Sequence, residues 1–169
     1  MGQEAIWGTP TAARIVTGRP NGEGLKIAVV ASRFNDLVVE RLVSGALDAL
    51  VRSGVSRDDL TLVWVPGAFE LPLVATKLAE SGAVDGVLCL GAVVRGGTDH
   101  YVHVAGQAAA GLARAQLDSG VPMAFGVLTT DSVEQALDRA GGKAGNKGAE
   151  AARGLLETVD VLNQIGTGN

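Results

Sequence analysis
Four apolar runs recur along this chain, and each leads through a loop into a segment with helical spacing. They are Lys26 to Ala31 (KIAVVA), Thr61 to Val65 (TLVWV), Val87 to Val93, and Pro122 to Thr129. A continuous β-branched run is the mark of a strand buried on both faces. The first is followed by a predicted helix from about Leu37 to Arg52, whose Val39, Leu42, Val43, Ala46, Leu47 and Leu50 recur at helical spacing. Further helices are predicted over 71–80, 99–118, 133–140 and 149–163. Gly54, Gly82 and Gly120 stand where three of these should end. Strand and helix therefore alternate four times, which predicts an α/β fold with a parallel sheet covered by helices on both faces. Ligands of such sheets collect beyond the carboxyl ends of the strands. Every unusual loop of this chain lies at one of those ends.

Composition narrows the function classes. The 169 residues suit one domain with a single core, and 47% hydrophobic against 19% charged residues excludes a disordered chain. A net charge of −4 without a Lys/Arg run argues against nucleic acid as a partner. No apolar stretch approaches the roughly 20 residues needed to cross a bilayer, so no membrane is expected. The N-terminus lacks the pattern of a secretory signal. The lone cysteine, Cys89, sits inside an apolar run, and a chain that can form no internal disulfide fits a reducing compartment, the cytoplasm. Residues 1–13 read as a flexible arm with Trp7 as its one large apolar side chain, and 14–169 as a single domain. Arg14 to Thr17 (RIVT) is β-like and needs a sheet edge to pair with, in its own chain or a partner's.

The loops carry the chemistry. After the third run comes Arg95-Gly96-Gly97-Thr98-Asp99-His100. Gly97 and Thr98 can aim N–H groups and a hydroxyl at an anion where a helix begins, because the first N–H groups of a helix lack partners and its dipole is positive there. A plain Thr98 cap explains the same residues. The glycines match neither GxGxxG nor GxxxxGK[ST], so generic phosphate binding is the most they support. His100, one of two histidines, offers a proton shuttle near neutral pH. His103 shares its helical face, but no third ligand is indicated, so no metal is expected. Phe34 and Asn35 after the first run suit ring stacking and edge reading, or equally a core residue and a helix cap. Glu70, in the apolar setting of Gly67-Ala68-Phe69, is a ligand-binding carboxylate or a surface charge. Arg139, Lys143 and Lys147, among glycines, form a phosphate-closing loop or a solvated helix connection. These readings leave a cofactor-free enzyme on a phosphorylated small molecule, a flavin- or nucleotide-binding module, and a structural assembly protein whose glycines serve subunit contacts.

Several of these stretches together resemble the lumazine synthase family: Ser32-Arg33-Phe34-Asn35, Trp64 to Glu70 (WVPGAFE), Gly91 to His100 (GAVVRGGTDH), Phe125 to Thr130 (FGVLTT), Glu134 to Leu137 (EQAL) and Arg139 to Gly148 (RAGGKAGNKG). The resemblance covers roughly residues 14–165. It implies a flavodoxin-like three-layer α/β/α sandwich with a four-stranded parallel sheet, to which a neighbouring subunit adds its N-terminal strand. It implies the condensation of 5-amino-6-(D-ribitylamino)uracil with 3,4-dihydroxy-2-butanone 4-phosphate to 6,7-dimethyl-8-ribityllumazine, with release of phosphate and water and without a cofactor. By the same resemblance Phe34 and Asn35 contact the pyrimidine, Phe34 by stacking. Ala68, Phe69 and Glu70 hold the ribityl chain, and Ala92, Val93 and Val94 line the ring edge. Gly97, Thr98 and Arg139 bind phosphate, and His100 moves protons. Phe125 comes from an adjacent subunit, and Lys147 lies close to the substrates. Family members form pentamers, many as sixty-subunit shells, and the short GGKAGN turn is similar to that of shell formers. One position departs: members commonly carry an acid two residues after the histidine, where this chain has Val102.

Overall fold
The computed structural model describes residues 14–166. Strands β1 (Ile27–Ser32), β2 (Leu60–Val65), β3 (Gly86–Val94) and β4 (Met123–Thr130) form one parallel sheet in the order β2-β1-β3-β4. The helices are α1 (Asp36–Arg52), α2 (Leu71–Glu80), α3 (His100–Ser119), α4 (Val133–Arg139) and α5 (Lys147–Gly166). The apolar runs are strands for the reason their composition gives: every residue of β1, and all of β3 but Val94, is buried. Two clusters cover the two faces. Leu42, Leu50, Leu155 and Leu156 pack α1 and α5 on one side, and Leu71, Ala75, Ala108 and Leu112 pack α2 and α3 on the other. The layers are thus the expected α/β/α sandwich. Cys89 is fully buried in the second cluster, and burial pushes its thiol up to about 12.

The glycines read as helix stops do that work. Gly54, Gly82 and Gly120 all have positive φ just past α1, α2 and α3. Ser132 caps α4, its hydroxyl accepting from the Gln135 N–H.

Two expectations need correction. Residues 140–146 are not a plain flexible connection, because β5 (Ala140–Gly142) and β6 (Gly145–Asn146) pair as a small antiparallel hairpin. Helix α5 starts at Lys147 rather than Ala149, since Asn146 Oδ1 accepts from the Ala149 N–H and completes the first turn. Arg14 to Thr17 joins no ladder among the described residues. Within the single chain it lies along α5: Arg14 donates to the Gln164 carbonyl at 3.0 Å, and Gln164 donates to the Thr17 carbonyl at 3.0 Å. The expectations for 1–13, Trp7 included, lie outside the described residues.

Helices α1 and α5 approach at two glycines. Asn146 donates to the Arg41 carbonyl at 2.9 Å, and its amide fills the space a Cβ on Gly45 would need. A Cβ on Gly148 would collide with the Leu42 carbonyl. Backbone cannot move aside as a flexible side chain can, so Gly148→Ala is expected to cost about 1–3 kcal/mol by overpacking. Urea denaturation at fixed protein concentration should show it as a lower midpoint, and an unchanged midpoint would contradict this packing.

Candidate active site
The sheet splits at its carboxyl end, and the split follows from hydrogen bonding. Pairing between β1 and β3 stops at Ala31 and Leu90, whereas β3 stays paired with β4 as far as Val94 and Thr130. Beyond Ser32 the chain leans toward β2: Arg33 N–H donates to the Val65 carbonyl at 2.8 Å, and Phe34 N–H to the Pro66 carbonyl at 3.1 Å. Beyond Val94 the chain leans the other way, with Arg95 N–H donating to the Thr130 carbonyl at 2.8 Å. A cleft therefore opens between β1 and β3, where the chain order reverses across the sheet. This is the switch point at which α/β sheets bind ligands. The β1-facing side of residues 91–94 is released from strand pairing there.

The walls of the cleft are the expected loops. Phe34 is 72% exposed, so the core alternative for it fails. Asn35 precedes α1 with φ 61° and makes no side-chain cap. Its amide reaches across the cleft instead and donates to the Ala92 carbonyl at 2.7 Å. This bond bridges the two diverging strands. Ala68 to Glu70 form a single 3₁₀ turn after β2, with Ala68 buried and Phe69 exposed. Glu70 is half-buried and accepts from the Gly67 N–H at 2.9 Å, which closes the turn and leaves its carboxylate further acceptor capacity. Ala92 and Val93 are buried, and Val94 is partly so.

The Gly96–Thr98 turn and His100 are exposed at the end of β3. The Thr98 cap alternative fails as well: α3 is preceded by Asp99 in helical geometry, with no side-chain cap. The first N–H groups of this long helix are left without a side-chain partner. Gly96 and Gly97 have ordinary negative φ, and nothing lies within 4 Å of where a Cβ would stand. Neither backbone strain nor crowding within the chain requires glycine there. The room they leave lies outside the chain, where a ligand or neighbour can approach the backbone.

Phe125, Arg139 and Lys147 are brought together, but elsewhere. They line a hollow of about 390 Å³ along the open edge of β4 with Gly126 to Thr129, Glu150 and Ala151. None of the cleft residues named above lines it. Phe125 is 44% exposed and Lys147 pairs with Glu150 at 2.7 Å. Arg139 donates to the Gln135 carbonyl at 3.0 Å. Among the described residues, no three His, Cys, Asp or Glu side chains cluster as a metal site would need.

Sequence reasoning missed Ser32. Its hydroxyl is buried at the base of the cleft without a hydrogen-bond partner, facing Gly91. Although Ser32 opens one of the family-like stretches, nothing in the sequence gives it a role, because a serine after an apolar run reads as the start of a loop. Asn146, also missed, was findable: an Asn directly before a helical segment is a common cap.

Comparison with known proteins fits this geometry. The family model for 6,7-dimethyl-8-ribityllumazine synthase matches residues 24–163. The chain belongs to the 6,7-dimethyl-8-ribityllumazine synthase family. A lumazine synthase of Nitratidesulfovibrio vulgaris strain Miyazaki F is 57% identical over 152 residues, which cover 90% of this chain and 97% of that protein. One of Desulfovibrio desulfuricans is 53% identical over 155 residues, covering 92% and 99%. The match to the lumazine synthase family spans the cleft and the β4 edge alike.

The bridge across the cleft gives a prediction. Asn35→Ala removes the bond to Ala92 and puts a Cβ-bearing residue without a polar side chain in the left-handed region, at a cost of about 2 kcal/mol in all. Asn35→Gly removes only the bond and should cost about 1 kcal/mol. Urea midpoints at matched concentration test this: an Asn35→Gly protein as stable as wild type would contradict the bridge, and equal losses in the two variants would contradict the left-handed backbone.

Proposed function
We propose that the working unit of this chain is an active site assembled from two copies, and we assign its residues to steps of the family's reaction. That reaction is the condensation of 5-amino-6-(D-ribitylamino)uracil with 3,4-dihydroxy-2-butanone 4-phosphate to 6,7-dimethyl-8-ribityllumazine, the penultimate step of riboflavin biosynthesis, and it makes the chain a transferase. The observation that carries the two-copy reading is the separation of the cleft residues from Phe125, Arg139 and Lys147. Each group alone is an incomplete site. A neighbour presenting its β4 edge to the cleft would complete both.

In that arrangement Phe34 stacks on the pyrimidine, faced by the neighbour's copy of Phe125. Asn35, Ala92, Val93 and Val94 border the ring, since the residues at 91–94 have their β1-facing side free of strand pairing. Ala68, Phe69 and Glu70 hold the ribityl chain, with Glu70 accepting from its hydroxyls. Gly97 and Thr98 with the neighbour's copy of Arg139 take the phosphate, where helix dipole and guanidinium act together. Lys147 of the same neighbour adds positive charge beside the substrates. The pyrimidine amine attacks the ketone, and loss of water gives an imine. Proton removal from the adjacent carbon lets phosphate leave, and the enol formed becomes a ketone. The ribityl-bearing nitrogen closes on that ketone with loss of a second water. His100 carries these protons, as histidine suits transfers near neutral pH. No step needs a cofactor. Holding two reactive substrates together supplies most of the acceleration, worth up to about 7–11 kcal/mol. Val102 leaves no carboxylate two residues after His100, so the histidine works without that neighbour.

Assembly follows the family. The chain forms homo-oligomers, and we assign it a pentamer that builds sixty-subunit shells, with residues 14–17 adding to a neighbour's sheet. Residues 14–169 act as one domain with 1–13 as an arm, and the cytoplasm is the site of action. Among the described residues no helix is long and apolar enough to cross a membrane. No observation favours a non-catalytic flavin-binding or cage-forming module.

Mixing the two substrates with the protein should produce the lumazine chromophore, and no product would overturn the reading. His100→Ala should lower kcat about 10²-fold with little change in KM. Absorbance assays measure this, and a full rate in the variant would remove His100 from proton transfer.

A further inference from the structure
Arg95 directly precedes the Gly96–Thr98 turn, and the roles assigned above leave it unused. Its backbone N–H donates to the Thr130 carbonyl at 2.8 Å. Its Nε pairs with Asp131 Oδ1 at 2.9 Å. Its guanidinium lies over the Tyr101 ring, 5.1 Å from the centroid. Tyr101 packs against the core cluster beneath α2 and α3. Asp131 is itself fixed, its N–H donating to Gln135 Oε1 on α4 at 3.0 Å. One side chain therefore ties the residue before the turn to the first turn of α3 after it, and ties both to the β4–α4 corner.

We propose that Arg95 is a positioning residue that holds the Gly96–Thr98 turn in its anion-accepting shape and is not itself a ligand of the anion. The proposal rests on the reading of that turn as the phosphate site. The turn needs such a brace. Two glycines with open space around them give it wide conformational freedom, and α3 begins without a side-chain cap. The ion pair is largely exposed and contributes little by itself. It gains from sharing one planar guanidinium with the stack on Tyr101 and from the strand bond that fixes the same residue. Asp131 also offsets the positive charge and directs it toward the β4–α4 corner. A free cation at this position would compete with the turn for the phosphate, whereas a neutralised one shapes it.

Charge separates the two roles. If Arg95 is a brace, Asp131→Ala removes the acceptor that holds its Nε and weakens anion binding. If Arg95 is a ligand, the same change frees the guanidinium and strengthens binding or leaves it as it was. The probe is inorganic phosphate, titrated calorimetrically into the assembled protein, with steady-state kinetics alongside. Arg95→Ala should raise the phosphate Kd, and the KM for the butanone phosphate, about tenfold, and Asp131→Ala, which leaves the Tyr101 contact, about threefold. The KM for the pyrimidine and kcat should stay within about twofold, the pattern of lost uniform binding. Arg95→Lys, which keeps the charge but not the planar stack, should fall between wild type and Arg95→Ala. An unchanged or lower phosphate Kd in Asp131→Ala overturns the brace. So does an Arg95→Ala protein that binds phosphate like wild type, or one that loses kcat alone. Phosphate binding is read without turnover. A wild-type protein that binds phosphate but forms no lumazine would overturn the reaction and leave the brace standing.

Discussion

The site depends on a disagreement in length between two neighbouring strands. β1 ends its pairing with β3 at Ala31, while β3 continues to Val94 against β4. Hydrogen bonds then pull the two continuations apart, Arg33 and Phe34 toward β2 and Arg95 toward β4. Everything placed in the cleft follows from this. Phe34 is exposed because its backbone is held to Pro66 beyond the sheet edge. The β1-facing side of residues 91–94 is open because β1 has turned away. The Asn35 amide spans the opening to Ala92 and fixes its width. A β1 one residue longer and still in register with β3 would bring Arg33 opposite Ala92 and close the cleft.

The packing beneath is built to tolerate no shift. Gly45 and Gly148 let α1 and α5 meet with Asn146 between them, and Gly111 lets α3 meet Pro72 at the start of α2. Close packing on both faces holds the strands in one register, and register decides which residues emerge at the carboxyl end. The glycines of this chain thus serve several purposes. Gly45, Gly111 and Gly148 remove volume so that layers can approach, Gly54, Gly82 and Gly120 end helices with positive φ, and Gly96 and Gly97 leave volume for something outside the chain.

Much of this was legible in the sequence, because the relevant signals are local and periodic. β-branched runs marked the strands, helical spacing marked the helices, and glycines marked their ends to within a residue or two. What escaped depends on contacts between distant segments. The β5–β6 hairpin reads as a loop because five residues with three glycines carry no alternation. Asn35 reads as a cap because Asn before a helix usually is one, and its reach to Ala92 exists only once β3 lies alongside. Ser32 lies in a family-like stretch yet carries no sign of a role, since its burial without a partner is a property of the cleft base. Arg95 looked like part of an anion-binding loop, and only the positions of Asp131 and Tyr101 turn it into a brace. The residues named for the site were found by their resemblance to family motifs, and spacing alone left most of them ambiguous.

The central claim is that one copy supplies the cleft and another the β4 edge. Co-assembly of two variants tests it most directly. His100→Ala damages the cleft half and Arg139→Ala the edge half, so each homogeneous assembly should be slow. In equimolar mixed assemblies, roughly a quarter of the contacts between copies join an intact cleft to an intact edge. The account predicts that mixing restores about that fraction of wild-type activity. Mixed assemblies no more active than the two parents would contradict it and place the whole site within one chain.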